Sequence, residues 1–146
     1  MTQSTSLNRA SLLLRLVSYL LLGFVAIWFL AAVPFLDQPA SLLIDFLDWP
    51  LDGGHDFLSR DVRWLSAIGA GLLSSMAMTN LLVVAPELER GNFRVLRGSA
   101  IATVSWYVID SLGSWTSGVP SNVVFNTAFF VLLLYPVWLA SRAQKG

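Results

Sequence analysis

Four long apolar stretches, separated by short charged segments, set the pattern of this chain. They cover about residues 16–36, 64–86, 98–116 and 121–140, bounded by Arg15 and Asp37, by Arg63 and Glu87, by Arg97, and by Arg142, with Asp110 as their one internal formal charge. Each is close to the length of about 20 residues that a helix needs to cross some 30 Å of hydrocarbon. Backbone amides in lipid have to be paired within helices, so the pattern predicts an all-α protein, a four-transmembrane-helix bundle forming a single membrane domain over 1–146. The first stretch reads as a retained anchor rather than a cleaved signal peptide. Its 21 apolar residues exceed the roughly 7 to 15 of a signal core, and no small-x-small site follows.

The connection 37–63 is acidic and carries a short element of its own. Ser41 is expected to cap a helix with Leu42, Leu43, Phe46 and Leu47 on one face and Asp45 and Asp48 on the other, ended by Pro50 and the pair Gly53 and Gly54. Too short to cross, it should lie in the interface with its apolar side among the headgroups.

Basic residues orient the bundle. Arg9 and Arg15, then Arg90, Arg94 and Arg97, then Arg142 and Lys145 make seven of the nine basic residues, and all fall on one side. The acidic loop holds Arg60 and Arg63 against Asp37, Asp45, Asp48, Asp52, Asp56 and Asp61. By the positive-inside rule both termini are cytoplasmic, in a bacterial inner membrane, and the acidic loop faces outward. Trp49, Trp64 and Trp115 then fall near the outer boundary, and Tyr19, Tyr135 and Trp138 near the inner one, as interfacial belts do.

Composition narrows the function classes. The chain is 55% hydrophobic and 12% charged, with a mean hydropathy of +0.67, no cysteine and a net charge of zero. Soluble domains carry about 25% charged residues. Without cysteine there is no disulfide, thiolate nucleophile or iron–sulfur ligation. The single histidine, His55, lies beside Asp52 and Asp56, but these three lack the spacing of a closed metal site and read as a solvated acidic loop. One histidine also excludes bis-histidine haem within one chain. No nucleophilic triad or phosphate-binding glycine loop is present, so neither catalysis, cofactor, metal nor nucleic-acid binding is expected.

Two features could carry function. Ala67, Gly71 and Ser75 recur every four residues in the second span and make a smooth face, for packing inside the bundle or for docking on a larger membrane complex or a second copy. In the third span Thr103, Trp106, Asp110, Ser114 and Ser117 share one side, which should face the bundle. A carboxylate at a helix centre has an insertion penalty of about 2.5–3.5 kcal/mol, so Asp110 needs partners. Asn122 and Asn126 on the fourth span are candidates, because the connection through Gly118 and Pro120 makes spans three and four an antiparallel hairpin. Arg63 is another, if it snorkels inward. The cluster is either a structural network fixing helix register or a protonatable, ligand-binding site, and both readings stay open here.

The string Trp106 to Ser114 followed by Gly118, Pro120, Asn122 and Asn126, together with Trp49 to Gly53 and Arg63 to Ile68, resembles a group of small uncharacterised bacterial inner-membrane proteins over about residues 45–135. In size and helix number that group is similar to DoxX-like four-helix membrane proteins. The DNA-repair label its members often carry has no counterpart among these residues, and the resemblance implies no activity. The expected role is a non-catalytic accessory or scaffolding subunit packed against membrane partners. The alternative is a small carrier or binder of a proton or lipophilic ligand built on Asp110, Ser114 and Asn126.

Overall fold

A computed structural model describes residues 3–53 and 58–143, and helix is the only regular structure among them. We number five helices in chain order: α1 Gln3–Ala32, α2 Gln38–Leu47, α3 Arg60–Glu89, α4 Phe93–Thr116 and α5 Pro120–Ala143. Three of them, α1, α3 and α5, are long and apolar enough to cross a membrane. Their outer surface is apolar too: Leu72, Leu82, Ile109 and Val124 are each about two-thirds exposed or more. A soluble chain does not present a belt of that extent to water, and this exterior marks a membrane protein.

The start of α1, the end of α5 and the α3–α4 turn lie at one end of the bundle, called here the terminal end; α2 and the α4–α5 turn lie at the other, the loop end. Both turns close with the same device. At the α4–α5 turn Gly118 sits at φ +83°, its amide donates to the Trp115 carbonyl and the Val119 amide donates to the Ser114 carbonyl. The α3–α4 turn repeats this with Gly91 at φ +67°, the Gly91 amide on Leu88 and the Asn92 amide on Glu87. The left-handed residue lets two orphan carbonyls be satisfied while the chain reverses, and a Cβ at Gly118 would strain that geometry. Pro120 then opens α5 at a position where no amide is required.

Well-packed residues gather towards the terminal end. Leu7, Ala10 and Leu14 of α1 meet Val84, Ala85 and Leu88 of α3, Leu96 of α4, and Leu133, Val137 and Ala140 of α5. Small residues on α1 let α3 approach closely there. A second, smaller cluster of Ala31, Ala40 and Leu58 sits at the loop end. Helix α4 packs along α5, whereas its contacts with α3 are concentrated in the Asn80–Glu89 part, near the terminal end.

Near its terminal end α3 widens into a π-helical stretch, Asn80–Val84, in which the Ala85 amide reaches back to the Asn80 carbonyl. The next amide in that register would serve Leu81, but Pro86 has none to give. Arg15 supplies the missing donor: Nη1 reaches the Leu81 carbonyl at 3.4 Å, while Nη2 pairs with Glu89 Oε1 at 3.3 Å. Ser11 Oγ donates to the same Glu89 oxygen at 2.6 Å. Arg15→Met should therefore lower stability by about 1 kcal/mol, and by less in a Pro86→Ala background where an amide is restored. Unfolding in mixed SDS micelles checks this; equal losses in both backgrounds would contradict the account.

Several expectations need correction. The apolar run 16–36 is not helical to its end, because the chain leaves α1 after a 3-10 turn at Leu30–Ala32 and Pro34 disfavours continuation. Arg94 and Arg97 stand on α4 rather than in a loop. Helix α2 starts after Asp37, which makes no side-chain capping hydrogen bond, and has Pro39 in its first turn, so Ser41 is an interior, buried residue. Its faces are also rotated from the expected ones. Asp45 is buried and accepts the Gly53 amide at 3.2 Å, whereas Leu42 is exposed. Ser121 Oγ donates to the Leu47 carbonyl at 2.6 Å, and the Phe46 ring lies tilted against that of Phe125 at 4.9 Å, so α2 is docked against α5 rather than lying free on the surface.

Candidate functional site

Between the two packed clusters the bundle is hollow. A cavity of about 520 Å³ lies in the loop-end half, lined by residues of all five helices. Leu21, Phe24 and Trp28 come from α1, Leu73 and Met76 from α3, and Phe125, Phe129 and Leu133 from α5; Leu43, Phe46 and Leu47 of α2 close the loop end. The walls are thus aliphatic and aromatic. Trp28 is set by a close approach: a Cβ built on Gly69 would come within 3.3 Å of its ring.

One side of the cavity is polar, and α4 supplies most of it. Trp106, Asp110, Ser114 and Ser117 all line the space, as their three- and four-residue intervals bring them to one face. Thr103, on the same face, is buried but outside the lining. The register of the α4–α5 hairpin is fixed at two levels. Ser114 faces Asn122, whose Nδ2 donates to Ser114 Oγ at 2.8 Å, and Tyr107 Oη lies 3.0 Å from Thr127 Oγ1, with the Tyr107 ring stacked 4.4 Å from Phe130. That register puts Asp110 level with Phe125 and Asn126.

Asp110 Oδ1 is 3.3 Å from Ser114 Oγ and 3.5 Å from Asn122 Nδ2, while Ser114 Oγ also lies 2.8 Å from the Asp110 carbonyl. Asn122, rather than Asn126, is the partner across the hairpin. Asn126 is also among the lining residues, one turn deeper and only 6% exposed; its Nδ2 is closed off from the open space and has no hydrogen-bond partner among the described residues. A buried amide donor left unpaired costs about 1–3 kcal/mol, which makes it the feature of the site most in need of an explanation.

Arg63 does not join this cluster. Its guanidinium points away to the loop end, where Nη2 binds Asp37 Oδ2 at 2.5 Å, Nη1 the Ala31 carbonyl at 3.2 Å and Nε the Leu58 carbonyl at 3.1 Å. The fork thereby ties the end of α1, the start of α2 and the segment before α3 together, and the nearby ion pair drew it outward. No lysine, arginine or histidine is among the described residues lining the cavity, whereas two carboxylates, Asp110 and Asp48, are.

The smooth face of α3 turns outward. Gly71 and Ser75 are exposed, Ala67 is half-buried, and a Cβ on Gly71 would meet nothing within 4 Å; the residues that α3 buries between Arg60 and Thr79 are Ser66, Ala70 and Ala77. Packing of this stripe within the bundle is therefore not what α3 does. His55 and Asp56 lie outside the described residues, and no group of three His, Cys, Asp or Glu side chains suited to a metal occurs among those described. Sequence reasoning missed the docking of α2 over the cavity and the Arg15–Glu89 pair. Pro86 within an apolar span was the one available signal for the latter.

No protein-family model, curated protein sequence or solved structure matches this chain.

Proposed function

We propose that this chain is a small integral membrane binder or carrier of a lipophilic ligand, held in the loop-end cavity with its polar end at Asp110, Ser114, Asn122 and Asn126. The observation that carries this reading is the polar cluster of Asp110, Ser114 and Asn122 set into the wall of an otherwise largely apolar 520 Å³ space. The half-buried Asp110 side chain thereby stands on the wall of a chamber of a size typical of ligand sites, roughly 300–1,000 Å³. The separation of α3 from α4 towards the loop end favours lateral access from the bilayer.

Helix α4 is proposed to be the fourth crossing. At 24 residues it is as long as α5 and packs along it. Its lower hydropathy reflects the polar cavity face and the arginines near its start, not a lack of length. Both termini are proposed to be cytoplasmic in a bacterial inner membrane, following the basic residues. Alkaline phosphatase fused at Asp52 and at Ser117 should be active in both cases; a cytoplasmic reporter signal at Asp52 would refute the orientation.

An accessory role within a larger membrane complex or homo-oligomer is the second reading, favoured by the outward stripe Ala67, Gly71 and Ser75. The two roles are compatible. Binding is tested with the neutral lipophilic fluorophore N-phenyl-1-naphthylamine on the purified protein in detergent. Leu73→Trp, which places a larger side chain in the cavity without touching the polar cluster, should weaken uptake at least tenfold. Unchanged uptake would count against the cavity as the site.

A further inference from the structure

We infer that the cavity selects lipophilic organic cations over neutral or anionic molecules of the same shape. This rests on the reading of the cavity as a ligand site and adds the charge of the ligand. Asp110 brings a carboxylate to the wall of a largely apolar space, and its Oδ2 accepts no hydrogen bond among the described residues. The basic side chain nearest to the role of counter-ion, Arg63, is engaged with Asp37 and two carbonyls at the loop end.

The rest of the wall suits the same class. Phe24, Trp28, Trp106, Phe125 and Phe129 surround the space, and aromatic faces attract a desolvated cation through the ring quadrupole. In a medium of low dielectric one carboxylate acts strongly over the few ångströms available, so a cation is favoured and an anion rejected.

Tetraphenylphosphonium and tetraphenylborate have the same shape and opposite charge. Titrated into the purified full chain in neutral detergent, and referenced to empty micelles, the phosphonium should quench tryptophan fluorescence with at least tenfold higher affinity than the borate. Asp110→Asn, which keeps the size of the side chain, should reduce phosphonium affinity at least tenfold and bring it to that of the borate; Asp110→Glu should retain the charge preference. Helical circular dichroism and a gel-filtration profile equal to those of the unaltered chain show that the variant is folded. Equal affinity for both ions, or a phosphonium affinity unmoved by Asp110→Asn, overturns the charge selectivity while leaving the cavity as a binding site. Failure of both ions and of N-phenyl-1-naphthylamine to bind overturns both.

Discussion

Replacing Asn126 by Leu should make the empty protein more stable and the ligand-binding protein worse. The amide is only 6% exposed, its Nδ2 is unpaired, and Leu has a similar volume with nothing left to satisfy. Removing an unsatisfied buried donor in favour of an apolar group of like shape should gain about 1 kcal/mol. The same change removes a polar contact from the cavity wall, so affinity for an amphipathic ligand such as an aliphatic amino alcohol should fall at least tenfold. Opposite signs in stability and binding are the mark of a group kept for function against its structural interest. Unfolding in mixed SDS micelles and a titration on the same preparation give both numbers. A loss of stability of more than 1 kcal/mol would show instead that Asn126 is a structural residue.

The second large effect belongs to Arg63. Both it and Asp37 are about one-fifth exposed, and the guanidinium additionally serves the Ala31 and Leu58 carbonyls. Arg63→Met would leave the Asp37 carboxylate without its cation and the Ala31 carbonyl without this donor. Breaking a largely buried pair by deleting one partner costs about 3–5 kcal/mol, and the residual exposure here reduces that to roughly 2–3 kcal/mol. Because Asp37 also precedes α2, the loss should loosen the helix that closes the cavity and weaken ligand uptake together with stability. Arg63→Lys should recover less than half of the loss, since an ammonium lacks the planar fork that reaches three acceptors at once. Full recovery with lysine would mean that only charge matters at this position.

Helical content and most helix positions were legible in the sequence because hydrophobic length and the punctuating residues act locally. Gly91, Gly118, Pro120 and the charges that bound each apolar run need no knowledge of the rest of the chain. The inward face of α4 was legible for the same reason: Trp106, Asp110, Ser114 and Ser117 keep a helical interval whatever they face. The partner of Asp110 was not. Asn122 and Asn126 differ by one turn, and only the tight reversal at Gly118 decides which of them meets Ser114. Arg63 shows a different gap. Its choice between Asp110 and Asp37 depends on where Asp37, 26 residues away in sequence and just past the end of α1, lands. Arg15 and Glu89, 74 residues apart, illustrate the same limit. The rotation of α2 was hidden because a hydrophobic period shows which face is apolar but not whether lipid or protein covers it. The hollow is the least legible feature, since volume left unfilled has no sequence pattern.

That hollow is also the account's central claim, and the absence of native cysteines allows it to be probed directly. Single cysteines at Asn122, at Asn126 and at Val124, which is 70% exposed on the outer face of the same helix, report on two sides of α5 at nearly one depth. Their rates of modification by a small cationic methanethiosulfonate should be at least tenfold higher at 122 and 126 than at 124, and slowed by tetraphenylphosphonium. Equal rates at all three positions, or labelling at 124 alone, would contradict a polar, ligand-accessible cavity in this bundle.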